Sequence, residues 1–92
     1  MSSQQHEKLK RARDAFGNHF RPQLQGLISN LAVGITKVDG KFALSVRCQF
    51  EDLGSVPKNT LKRIVEIVGT SFEHEGVVYP LDIKITNIPV LH

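Results

Sequence analysis

The chain has 92 residues, of which 40% are hydrophobic and 23% are charged, and its formal net charge is +3. A chain this short forms one domain with a modest core, because it buries only about 60% of its unfolded surface. The composition excludes a disordered chain, a collagen repeat and a disulfide scaffold. No apolar run approaches the roughly 20 residues that a membrane-spanning helix needs. We therefore expect a single soluble domain over residues 1–92.

The compartment is indicated by the N-terminus and by the cysteine content. The first residues are polar and lack the apolar stretch of a signal peptide. The single cysteine, Cys48, has no second cysteine with which to form an internal disulfide. Both features favour a reducing, cytoplasmic location.

The positive charge is concentrated in residues 1–22, while the rest of the chain is neutral. A basic helix can attract nucleic acid, anionic lipid or an acidic protein, although a solvated helix face is the simpler interpretation. The candidate residues for a partner or polyanion surface are Lys8, Lys10, Arg11, Arg13 and Arg21.

The N-terminal third is predicted to be helical. Apolar residues at helical spacing (Leu9, Ala12, Phe16) indicate a basic helix over residues 1–22, and residues 23–30 form a short helix or a linker. Gly17-Asn18 is a plausible break, and Arg21-Pro22 could start a second short helix with Pro22 at its first position. The sequence leaves open whether residues 3–30 form one kinked helix or two.

Residues 31–50 carry the strongest local signal, a β-hairpin. Two β-prone runs flank Asp39-Gly40, and this dipeptide favours a type I′ turn because both of its positions need positive φ. Phe42, Leu44 and Val46 alternate with polar or small residues, as in a strand with one buried face.

The C-terminal half is predicted to form a helix over residues 57–69 and a closing strand over residues 77–87, with an extended segment and a turn at residues 74–76 between them. Leu61, Ile64 and Val68 form the expected buried stripe of the helix. The fold class is then α+β, in the order α-β-β-α-β, with a three-stranded mixed sheet of strand order 2-1-3. This order places residues 31–38 in the centre and both helices on one face.

Recognisable catalytic patterns are missing from the sequence, which has no P-loop, GxGxxG, HExxH or CxxC motif. Cys48 falls in the apolar register of its strand and is expected to be a small buried side chain. His74 is expected to be a surface residue of a turn. We therefore predict no enzyme activity, no catalytic residue, no metal, no cofactor and no small-molecule substrate.

Three segments together resemble small bacterial domains that accompany trypsin-like serine proteases. They are LAVGITKVDGKFALSV at 31–46, VP at 56–57 and GVVYPLDIKI at 76–85. The pattern of those domains is a leading helix, a VGxGxxxxDG hairpin and a closing GxPVxVxV strand. The part of this chain that resembles it covers roughly residues 24–86. The resemblance implies a non-catalytic accessory domain in a bacterial proteolysis or conflict (defence) system.

The functional hypothesis is therefore a small protein-interaction module that binds another protein or itself as a homodimer. In the 2-1-3 order the second strand lies at an edge, and open edges recruit partner strands. Its candidate interface residues are Lys41, Ala43, Ser45, Arg47 and Gln49. The alternatives are a weak electrostatic nucleic-acid-binding protein that uses the basic helix, or a phage-type inhibitor of a host enzyme.

Overall fold

The computed structural model describes residues 2–88, with side chains described from residue 6. Its two helices and four strands confirm the α+β class. In chain order they are α1 (Ser2–Leu24), β1 (Asn30–Val38), β2 (Lys41–Phe50), α2 (Thr60–Val68), β3 (Ser71–His74) and β4 (Val77–Asn87).

Helix α1 is one continuous helix, which settles the question of one helix or two. Pro22 lies in its last turn, where it removes the N–H that would bond to the Asn18 carbonyl, and the helix ends two residues later at Leu24. Gly17 does not interrupt the helix, and a Cβ there would meet Arg21 Nη1 at 3.4 Å and Val33 Cγ2 at 3.9 Å, both ordinary contacts. The buried residues of α1 recur every three or four positions: Leu9, Ala12, Phe16, Phe20 and Leu24.

The predicted hairpin is confirmed, with Val38 paired to Lys41 across the turn. Asp39 and Gly40 have φ values of 53° and 78°, as a type I′ turn requires. A second hairpin of the same kind joins β3 to β4, where Glu75 and Gly76 have φ values of 51° and 78°.

The sheet order is β1-β2-β4-β3, so the predicted order 2-1-3 and the count of three strands are wrong. Strand β2 is central, antiparallel to β1 and parallel to β4. The physical reason is the apolar content of β2. A central strand is covered by a neighbour at each edge, and this position fully buries Leu44, Val46 and Cys48. The fourth strand, β3, corresponds to the extended segment expected before the turn, and its four residues are too few for a pattern that would place it in the sheet.

Strand β4 changes its partner at Pro80. Residues Val77–Pro80 pair with β3, whereas Leu81–Asn87 pair with β2. In a continued parallel ladder the Phe42 carbonyl would accept a bond from the nitrogen of residue 80, and proline has no N–H. The sheet therefore splits between β2 and the first half of β4.

Both helices share one core with the sheet. Ile64 and Val68 of α2 join the residues of α1 and the alternating residues Leu44, Val46 and Cys48 of β2 in one cluster. Gly69 ends α2 with φ 79° and donates its N–H to Val65. The expected stripe of α2 is wrong at one position, because Leu61 is 45% exposed and Thr60 is buried instead.

Candidate interaction surfaces

The predicted edge-strand interface does not lie at an edge, because β2 has neighbours on both sides. Its candidate residues alternate with the core residues of β2 and therefore belong to the sheet face opposite the helices. Lys41 and Arg47 are exposed there, Ser45 and Gln49 are half-buried, and Ala43 is fully buried. The prediction that β2 is an edge strand is thus wrong, since it followed from the incorrect strand order.

One open edge of the sheet belongs to β1 instead. In a two-residue hairpin the residues that flank the turn form a hydrogen-bonded pair, and such pairs alternate along the ladder. Val38, Thr36 and Gly34 therefore bond to β2. The odd-numbered residues direct their N–H and C=O groups away from β2: Leu31, Val33, Ile35 and Lys37. In agreement, the Leu31 carbonyl accepts a hydrogen bond from Arg21 Nη2 at 3.0 Å.

The edge of β1 is poorly protected by its own residues. Natural edge strands are blunted by prolines and charged side chains. Among the nine residues of β1 the only charged one is Lys37, whose Nζ lies 5.0 Å from the centroid of the Phe42 ring. The second half of β4 also lacks a strand on its outer side within residues 2–88, but it follows Pro80 and carries Asp82 and Lys84, 3.7 Å apart.

Two adjoining cavities lie between α1 and the edge of β1. The larger, of about 500 Å³, includes Leu24, Ile28 and Leu31 in its lining. The smaller, of about 270 Å³, includes Val33. Gly17 and Arg21 line both. A strand added to β1 would therefore place its helix-facing side chains beside these cavities.

The basic residues of α1 do not form a patch of free charges. Arg11 Nε lies 3.1 Å from Glu75 Oε2, and Arg13 Nε lies 3.1 Å from Asp14 Oδ1. Lys10 lies 3.8 Å from Glu7, and Arg21 is bound to the Leu31 carbonyl. Exposed ion pairs contribute little to stability, but they lower the charge available to a polyanion. Of the five candidates, Lys8 alone has no such contact within the described part of the chain.

A second surface lies where the sheet splits, and the sequence pattern missed it. A cavity of about 280 Å³ lies between Phe42 of β2 and the first residues of β4. The alternation of β2 predicts that Phe42 is buried, yet its side chain is 39% exposed. The complete lining is Lys8, Leu9, Phe42, Val77, Val78 and Tyr79.

The groups that could carry chemistry are dispersed. Burial raises the pKa of the Cys48 thiol from 9.0 to about 11, which leaves it protonated and unreactive at neutral pH. His74 Nδ1 is buried and lies 3.7 Å from Glu75 Oε2, beside Phe72. Among residues 2–88 no group of three His, Cys, Asp or Glu side chains could hold a metal ion.

Neither helix within the described residues combines the length and the apolar character that crossing a membrane requires. No family model, no curated protein and no solved structure matches the chain.

Proposed function

We propose that this protein is a non-catalytic protein-interaction module that forms a homodimer by pairing β1 with β1 of a second copy. The observation that carries the proposal is the open edge of the nine-residue strand β1, on which the Leu31 carbonyl already accepts a bond from Arg21, together with the two cavities between this edge and α1. Strand addition to such an edge satisfies backbone groups, and the adjoining cavities accept side chains.

The sequence of β1 suits pairing with a second copy of itself about a twofold axis at Gly34. In an antiparallel pair centred on Gly34, Val33 of one copy faces Ile35 of the other, and both are apolar. Ala32 then faces Thr36, and no like charges meet along the strands. An interface of this kind is self-complementary, as a twofold dimer requires.

The same register makes Gly34 face Gly34 of the second copy in a non-hydrogen-bonded pair. The Cα atoms of such a pair lie about 4.5 Å apart, within the range that a disulfide spans. The position accepts a side chain, since a Cβ at Gly34 would lie 3.9 Å from the Ser45 Cβ in ordinary contact.

Cysteine cross-linking tests the proposal. Under mild oxidation we expect Gly34→Cys to form a covalent dimer on a non-reducing gel. Thr36→Cys is the matched control on the same face and strand, and its two copies would lie ~14 Å apart in this register, too far for a disulfide. The unsubstituted protein, whose only cysteine is buried, is the background control.

The two variants test separately whether β1 is the interface and whether Gly34 is its centre. A covalent dimer of Thr36→Cys but not of Gly34→Cys would retain the edge and overturn the register. If neither variant cross-links and sedimentation shows a monomer at high micromolar concentration, the proposed dimer is wrong.

The accessory role that the resemblance implies, in a bacterial proteolysis or conflict system, agrees with a module of this kind. The nucleic-acid alternative is less well supported, because four of its five basic residues have partners of their own.

A further inference from the structure

The cleft where the sheet splits combines an apolar interior with an exposed apolar rim. Leu9 and Tyr79, which line it, are 2% and 6% exposed, whereas Val77 and Val78 of β4 are 36% and 60% exposed. Phe42 lies on the β2 side. Scattered exposed apolar residues are ordinary, but neighbouring ones around a cavity mark an interaction surface.

Backbone hydrogen-bonding groups also face this cleft. The β3–β4 hairpin has a two-residue turn, so His74–Val77 is a hydrogen-bonded pair and Val78 directs its N–H and C=O away from β3. By the same alternation in the first hairpin, Phe42 directs its groups away from β1. Pairing between β2 and β4 starts only at Leu44 with Leu81, so these groups lie outside that ladder.

The charge around the cleft is positive. Lys8 lines it, and Lys37 lies over the Phe42 ring. Two of the nearby acidic residues have basic partners, since Glu7 lies 3.8 Å from Lys10 and Glu75 lies 3.1 Å from Arg11. Glu73, the cross-strand partner of Val78, and Asp39, in the turn before β2, have no ion pair among the described residues, but neither lines the cleft. A ligand with a carboxylate beside an apolar group would therefore complement both properties of the site.

We propose that this cleft binds an extended segment of a partner protein, in which a bulky apolar side chain is flanked by carboxylates. The apolar side chain lies against Leu9 and Phe42, a carboxylate pairs with Lys8, and the segment's backbone bonds to Val78. The cleft lies at the N-terminal half of α1, away from the cavities beside β1, and Lys37 is the residue that it shares with the edge used in the proposed dimer.

Fluorescence anisotropy with labelled octapeptides tests the proposal. The probe peptide carries one phenylalanine between two aspartates; one comparison peptide has asparagine for aspartate, and another has serine for phenylalanine. We expect the probe to bind the full chain at least about tenfold more tightly than either comparison peptide.

Matched variants locate the binding site. We expect Lys8→Glu to weaken binding of the probe at least about tenfold and Lys62→Glu, an exposed charge reversal on α2, to have little effect. Likewise Phe42→Ala should weaken binding, whereas Leu61→Ala removes a similarly exposed apolar side chain elsewhere. Circular dichroism and a thermal melt establish that each variant is folded.

Three results would overturn the inference. The first is equal binding of the serine peptide, which would show a purely electrostatic contact. The second is equal loss in Lys62→Glu and Lys8→Glu. The third is binding to anionic phosphatidylserine vesicles with no binding to the probe, which would identify a membrane surface instead of a peptide.

Discussion

Strands β1 and β2 belong to one hairpin and have similar alternating sequences, yet they differ in burial. Leu44 and Val46 of β2 are fully buried, whereas their cross-strand partners Ile35 and Val33 are half-buried. The difference follows from position, since β2 lies between β1 and β4 while β1 has a strand on one side only. Local pattern therefore specifies which residues face the core, and the sheet order decides how completely they are buried.

The largest loss of stability is expected from a truncation in the central strand. We expect Leu44→Ala to lower the free energy of unfolding by about 3 kcal/mol, because it leaves a cavity in a fully buried site. Ile35→Ala, its cross-strand control, should cost about 1 kcal/mol, since the site is already half-open. Urea denaturation at a concentration that keeps the protein monomeric measures both. Equal losses would contradict the different burial of the two strands.

The interior position of β2 also predicts that the stability of the protein depends on pH through Cys48. Burial raises the pKa of this thiol from 9.0 to about 11. Between these values the unfolded chain releases the thiol proton while the folded chain keeps it, so stability falls as the pH rises. A shift of this size corresponds to a loss of about 2 to 3 kcal/mol by pH 11, with no contribution below pH 9.

The control for this titration is Cys48→Ala, measured by urea denaturation at the same pH values. The difference in stability between the two proteins should be constant below pH 9 and should shrink above it. A constant difference up to pH 11 would show that the thiol ionises with its ordinary pKa in the folded protein.

The smallest effect is expected from a substitution at the open edge of β1. Val33→Pro removes an N–H that points away from β2, so the β1–β2 ladder keeps its bonds while strand addition loses one. The control is Val33→Ala, which shortens the side chain but keeps the N–H. We expect sedimentation equilibrium to give Val33→Pro a dimer dissociation constant at least about tenfold higher than that of the control. Equal dimerisation of the two variants would show that the edge is not the interface.

Much of the fold follows from local sequence. Asp39-Gly40 identifies the first turn because type I′ geometry needs positive φ at both positions. The core face of α1 follows from its helical spacing. The prediction that Phe42 is buried is wrong. Its position in the alternation of β2 places it on the core face, but the neighbouring strand that would cover it diverges at Pro80.

The candidate surfaces were less predictable. The five basic residues of α1 are visible in the sequence, but the partner of Arg11 is Glu75, 64 positions away. The cleft joins residues of α1, β2 and β4, which no spacing in the chain connects.

The sequence is enough to predict both helices, three of the four strands, the turn at Asp39-Gly40 and the core-facing residues of α1, because these depend on propensity and periodicity among neighbours. Only the tertiary structure decided the strand order, the open edge of β1 and the split at Pro80. Strand order depends on which faces and edges bury the most apolar area together, and that is a property of the assembled sheet rather than of any one segment.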